Sequence, residues 1–331
     1  MLAKSATFRN VLHHLLDYDN QANLTIQDPK CSSDVFTIQC LDRSGVAMAH
    51  FQLYPSAFRG CIFAPAKRAN PHWNVSYSTI GLNLMAMYQF LQYAEPNDPV
   101  CVQLMDTDPD HVHIIIDSLK RQTVAHRSLT LLDLDSELLA VDSKDDGYAC
   151  TVQVPFSVMQ EALRTLAKEY TSITVSVETK ITQPLGKAKK EISYLSFAPG
   201  KVDGDNEKPI ITGAIRYKAI RCLALPKRDP SDEKKVFKSL LDSKTDQTGT
   251  ISVVWQSAKC ITIQVTVASM FLGRCIKGTA LSNYIVLKLS ESLPMVVDMH
   301  LFDTVQQIGN LRIFIAPKIP TDAVPMKEEE E

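Results

Sequence analysis

The stretch Leu129 to Val141, reading Leu-Thr-Leu-Leu-Asp-Leu-Asp-Ser-Glu-Leu-Leu-Ala-Val, contains neither Gly nor Pro, and its apolar residues mostly alternate with acids. Such alternation lacks a helical stripe and suits an extended strap lying over a surface. Its position constrains the fold more than its composition does. A series of helix, strands, helix and hairpin precedes it, and a second series of the same order follows, so the strap joins two topologically similar halves. Two helices per half against many short antiparallel strands make the expected class α+β, with helices on one side of curved sheets. The boundaries that follow are 1–128 for the first half, 129–147 for the strap, 148–319 for the second half and 320–331 for an acidic tail.

In the first half, Phe8, Val11, Leu12, Leu15 and Leu16 recur at helical spacing over Ser5 to Asp17, leaving Arg9, His13 and Asp17 on the other face. Asn23 to Gln27, Asp34 to Leu41 and Val46 to Leu53 read as strands, the last two as a hairpin around Asp42-Arg-Ser-Gly45. A second helix is expected over Gly81 to Ala94, with Leu84, Met87, Tyr88 and Leu91 inward, then a hairpin of Val100 to Leu104 with Val112 to Leu119. The second half opens with a strand, Tyr148 to Val154. Pro155 then starts a third helix, where its missing N–H costs little. That helix turns Val158, Met159, Ala162, Leu163 and Leu166 inward and Gln160, Glu161, Arg164 and Lys168 outward. Strands are expected at Ser172 to Val177, Ile251 to Trp255 and Cys260 to Val265, followed by a fourth helix near Val267 to Lys277. A hairpin of Tyr284 to Leu289 with Met295 to Leu301 and a last strand, Leu311 to Ala316, complete the repeat. Polar inserts, Gly186 to Glu191 and Pro226 to Gly249, interrupt this half.

The formal net charge of -2 and pI near 6.5 carry no overall signature of a nucleic-acid binder, so any such surface has to be a local basic face. The eight cysteines include no C-x-x-C and read as small buried residues in a reducing compartment. Without an apolar leader or a run of about 18 apolar residues, a soluble intracellular protein is expected. Asp106-Thr-Asp-Pro-Asp110 has the opening spacing of a calcium loop, but His111 replaces its glycine and Asp117 its bidentate glutamate, which leaves a hairpin turn. No glycine-rich phosphate loop, nucleophile elbow or H-E-x-x-H occurs, so neither catalysis nor a cofactor is expected.

At Leu131-Leu-Asp-Leu-Asp135, at Ala280-Leu-Ser282 followed by Leu293-Pro-Met-Val-Val-Asp298, and at Ile315-Ala-Pro-Lys-Ile319, the chain resembles the proliferating cell nuclear antigen family of sliding clamps. It looks like a divergent member with inserts in the second half. The resemblance implies two domains of the processivity fold, helices inside and sheets outside, three identical protomers closing a ring around duplex DNA, and a nuclear or viral replication compartment. Arg9, His13, Arg164, Lys168, Arg274 and Lys277, on or near polar helix faces, are the expected DNA-facing residues, and of these Arg9, Arg164 and Lys277 match basic positions of the family; Gln89, Gln92 and Glu161 stand where the family is usually basic. The resemblance also implies an apolar socket for short peptides of DNA polymerase, clamp loader, nuclease and ligase, made by Leu41, Leu139, Val141, Pro294, Phe314, Ala316 and Pro317, with Gly45 at a position the family gives to histidine. Two rivals accompany it: a subunit of a heterotrimeric checkpoint clamp, and a metal-dependent nucleic-acid enzyme using Asp106, Asp108 and Asp110. The strands His113 to Leu119 and Ile215 to Ile220 are expected as open sheet edges for protomer pairing.

Overall fold

A computed structural model describes residues 2–28, 30, 35–58, 77–105, 107–118, 120–134, 147–182, 190–200, 214–223, 251–256, 262–277, 281–303 and 306–318. In chain order the elements run β1 (Leu2–Lys4), α1 (Ser5–Leu15), β2 (Gln21–Gln27), β3 (Phe36–Leu41), β4 (Ala47–Leu53), β5 (Tyr77–Asn83), α2 (Leu84–Leu91), β6 (Pro99–Met105), β7 (Asp108–Ser118) and β8 (Thr123–Thr130). They continue as β9 (Cys150–Pro155), α3 (Phe156–Glu169), β10 (Ser172–Thr182), β11 (Lys190–Pro199), β12 (Ile215–Leu223), β13 (Ser252–Trp255), β14 (Thr262–Ala268), α4 (Ser269–Cys275), β15 (Tyr284–Leu289), β16 (Met295–Asp303) and β17 (Gln306–Ile315). The fold is α+β, with strands mostly antiparallel and few helices. Both polar inserts lie outside the described residues, except that Lys190 and Glu191 open β11.

The chain forms two compact units interleaved in sequence: Met1–Lys144 with Lys277–Asn283 and Val296–Ile315, and Asp145–Ile276 with Tyr284–Met295 and Ala316–Glu331. Two consecutive blocks were the expectation from sequence. Strand pairing accounts for the difference, because β17 zips antiparallel onto β4 from Gly309↔Leu53 to Ile315↔Ala47 and so adds Val296–Ile315 to the first unit.

In the first unit, α1 and α2 touch each other, above a sheet ordered β1-β6-β7-β8 and a run β16-β17-β4-β3-β2-β5. Val11, Leu12 and Leu15 of α1 and Met87 and Leu91 of α2 are wholly buried, as are Leu24, Ile38, Phe51 and Leu82 beneath them. Each such side chain contributes about 1.5–3 kcal/mol on leaving water. Phe8 meets Phe36 edge-on at 5.4 Å, an arrangement the aromatic quadrupole favours. Helix α2 is shorter than its apolar periodicity predicts, since 77–83 form a strand against β2 and the Asn83 side chain caps the helix by accepting from Ala86 N at 2.9 Å. Its inward face takes Phe90 in place of Tyr88, whose ring instead lies 5.4 Å from that of His13. The start of the strap crosses β5 at Gly81, whose carbonyl accepts from Leu132 N at 2.9 Å. A Cβ there would fall 2.3 Å from Leu132 O, so only glycine admits this crossing.

The expected edge His113 to Leu119 is corrected by the pairing. Strand β7 is hydrogen-bonded on both sides, to β6 and to β8, and the open edge is β8. Thr-Val-Ala-His-Arg-Ser-Leu-Thr offers only three apolar residues in eight, too few for periodicity to mark a strand; register with β7 makes it one.

The second unit orders its strands β14-β10-β11-β12-β13-β9-β15. Helix α3 buries Phe156, Met159, Ala162, Leu163 and Leu166, as its periodicity predicts apart from Phe156 replacing Val158. It packs on α4, where a Cβ at Gly273 would sit 3.3 Å from Ala167 Cβ, so the small residue sets the close approach. Trp255 is buried with its Nε1 donating to Thr179 Oγ1 at 3.0 Å, which satisfies the one polar atom of that large side chain. Strand β12 pairs β11 over Ile215 to Ala219 and β13 only from Ile220 to Leu223. Its first five residues therefore have no strand on their other side among the described residues.

Candidate functional site

The six basic or titratable positions expected on helix faces differ in their surroundings. Arg164 and Lys168, one turn apart on α3, are exposed and have no ionic or hydrogen-bond partner among the described residues. Glu161, one turn earlier, is exposed beside them and reduces the local charge. Arg9 is half-buried, and its guanidinium donates to Ala94 O at 3.4 Å, just past the end of α2, where backbone carbonyls lack helical partners. His13 is exposed. Arg274 lies 5.1 Å over the Phe271 ring, a cation–π contact. Lys277 Nζ sits 2.7 Å from Asp17 Oδ1 and is already an ion-pair partner. The outward side of α2 carries Gln89 and Gln92 with the exposed apolar groups Met85 and Tyr93, and no cation. The role of Asp17 had no sequence signal, because its counter-ion is 260 residues away.

The apolar socket is placed in part. Register aligns Leu41 of β3 with Met48 of β4, and Met48 with Phe314 of β17, so the three share one face of adjacent strands. Leu41 is 46% exposed, unusual for a leucine in a paired strand and the mark of a contact surface. The hairpin beside it turns at Asp42, whose carboxylate accepts from Ser44 N at 3.1 Å and Ala47 N at 2.7 Å. Burial raises the Asp42 pKa, but the hydrogen bond from the Ser44 hydroxyl, joined by those from the Ala47 and Ser44 backbone, outweighs it and holds the carboxyl below the usual range. Gly45 has φ +69° and nothing within 4 Å of a Cβ position, so the strip is open on that side. Met48 was not foreseen, although its place opposite Leu41 in the hairpin is a signal that pairing could have supplied. In the second unit, Ala316 and Pro317 are half-buried and the chain is anchored just beyond by Lys318 N donating to Thr266 O at 2.7 Å. Pro294 is exposed and its carbonyl accepts from Tyr148 Oη at 3.1 Å. Leu139 and Val141 lie outside the described residues.

The acidic turn joins β6 to β7, with Met105 paired to Asp108. Asp106 is outside the described residues, while Asp108 accepts from His111 Nδ1 at 2.7 Å and lies 3.0 Å from His113 Nε2. The His111 hydrogen bond is the main reason the Asp108 carboxyl lies below its usual range. His113 in turn faces His126 Nε2 at 3.1 Å and Ser128 Oγ at 3.0 Å across the strands.

Residues 1–138 match the family model described as proliferating cell nuclear antigen, N-terminal domain. The proliferating cell nuclear antigen of Dictyostelium discoideum is 23% identical over 319 residues, covering 96% of this chain and 98% of that protein. Its counterparts in Caenorhabditis elegans and Saccharomyces cerevisiae are each 21% identical, over 292 and 290 residues, with 88% and 87% of both chains covered. The chain is thus similar to proliferating cell nuclear antigen along nearly its whole length, and its N-terminal part matches that family's model. The family model spans both helices and all eight strands of the N-terminal stretch and ends inside the strap.

Proposed function

We infer that the chain is a DNA sliding clamp, a processivity factor that encircles duplex DNA and tethers a polymerase to it. The observation that carries this is a match to clamp proteins running over nearly the whole length of both chains. The mechanism is topological. A closed ring cannot dissociate sideways, and a tethered polymerase sees the primer end at a high effective concentration. The protein acts without catalysis or cofactor, in the nucleus.

Three copies close the ring, with the open edge of β8 pairing with the uncovered stretch Ile215 to Ala219 of β12 on the next protomer. Val124, 69% exposed on β8, supports this, since a bare apolar edge invites pairing. Light scattering should give a mass near three chains, and Val124→Asp should reduce it to one; a single-chain mass for the unsubstituted protein would favour a heterotrimer subunit. Arg164 and Lys168 are the leading phosphate contacts, non-specific and salt-dependent as sliding requires.

Short peptides of polymerase, clamp loader, nuclease and ligase dock on the strip of Leu41, Met48 and Phe314. Phe314→Ala should weaken a clamp-binding peptide by about 1–3 kcal/mol in calorimetry, as for an aromatic anchor, with the trimer intact. Equal binding by mutant and parent would move polymerase docking to another surface.

A further inference from the structure

Asp17 follows the last turn of α1, and its side chain is 22% exposed while that of its partner Lys277 is 54% exposed. One carboxylate oxygen, Oδ1, takes the lysine at 2.7 Å. The other, Oδ2, is buried with no hydrogen-bond partner among the described residues. His14, one turn earlier and buried, offers no counter-charge, because burial, its largest influence, pushes its pKa down to about 4 and keeps it neutral. Among the described residues Lys277 is thus the one cation paired with this carboxylate.

We propose that Asp17 is an intramolecular competitor for DNA phosphate: it withholds Lys277 from the duplex and so sets how weakly the ring grips. A lysine leaving for a phosphate would strand a largely buried carboxylate without compensation, and stranding a charge costs more than an exposed pair is worth. Arg164 and Lys168 bear no such restraint among the described residues. Among the described residues, the cations of α3 are thus unpaired, whereas Lys277 after α4 is held by a carboxylate. For a ring that has to move along DNA, a restrained cation limits the number of phosphates held at once and the friction of sliding.

The inference rests on the clamp reading, and the experiment separates the two. Binding of the full-length protein to a labelled duplex is measured by fluorescence anisotropy over a salt series. Asp17→Asn is expected to tighten binding several-fold at low salt and to steepen the slope of log K against log salt by about 0.9 for each lysine that gains a phosphate. Adding Lys277→Met to Asp17→Asn should cancel both gains, whereas Lys277→Met alone should cost less than Arg164→Met. The pairing of Asp17→Asn with Lys277→Met removes both charges and so provides a baseline free of a stranded ion; thermal melting of each variant checks the fold. Gains that survive loss of Lys277, or a Lys277→Met loss equal to that of Arg164→Met, would overturn the proposal while leaving the clamp standing. No salt-dependent binding by any variant would remove the DNA reading and this proposal together.

Discussion

Acid should cost this protein several kcal/mol of stability between about pH 6.5 and pH 4, well before its carboxylates titrate. His14 is 2% exposed and His50 is 6% exposed, and burial pushes both from the ordinary 6.5 down to about 4. At His50 the neighbouring Arg312 guanidinium adds to the depression, and Asp298 opposes it. A lowered folded-state pKa means that the unfolded chain binds the proton first, so stability rises with pH across this window and is complete above 6.5. At 1.36 kcal/mol per unit, each histidine accounts for about 3 kcal/mol. Asp42, with its carboxyl held low, acts in a different window: its contribution is present above the usual carboxylate pKa of 3.8 and disappears only below it. Urea denaturation at a series of pH values gives the test. The unsubstituted protein should lose midpoint steeply from pH 6.5 downwards, and the double variant His14→Leu/His50→Leu should be flat there. Identical slopes in the two proteins would assign the acid lability elsewhere.

Removing the Arg312 guanidinium should be the most damaging single change in the first unit outside its apolar core. Arg312 Nε donates to Asp298 Oδ2 at 3.1 Å, and Asp298 is 2% exposed; His300 Nε2 stands farther off at 3.6 Å. Arg312→Met removes the cation 3.1 Å from the buried Asp298 carboxylate, a loss of roughly 3–5 kcal/mol. Asp298→Asn in the same chain should recover much of that, since neither charge then remains to be compensated. The substitution also reaches His50, which is directly opposite Arg312 in the β4–β17 register. Without the guanidinium and with Asp298 still charged, the imidazole is expected to take up a proton more readily, so Arg312→Met should be least damaging at low pH. A cost below about 1 kcal/mol at neutral pH, or no dependence on pH, would show that the carboxylate finds compensation without Arg312.

Much of the architecture is written in local pattern. The apolar stripes of α1 and α3 name most of the residues those helices bury, missing Ser5, His14 and Phe156, and the hairpins β3–β4 and β6–β7 lie within a few residues of their polar turns. A stripe at helical spacing can be buried along only one side, which is why such segments are readable alone. The order of these segments was enough to identify the α+β class.

What the tertiary structure alone decided depends on partners distant in sequence. Thr123 to Thr130 is a strand because β7 pairs with it, and that pairing moves the open edge from β7 to β8. Tyr77 to Asn83 was read partly as helix, because its apolar residues continue into α2 and only the pairing with β2 and the Asn83 cap separate them. On the helix faces, the sequence determined which residues are polar and outward, but not which cations are free. Arg9 and Lys277 occupy faces as well patterned as that of Arg164, yet Ala94 and Asp17 hold them. Periodicity records which side of a segment meets water; a charge's availability is set by the atom opposite it, and here that atom lies 85 residues away for Arg9 and 260 away for Lys277.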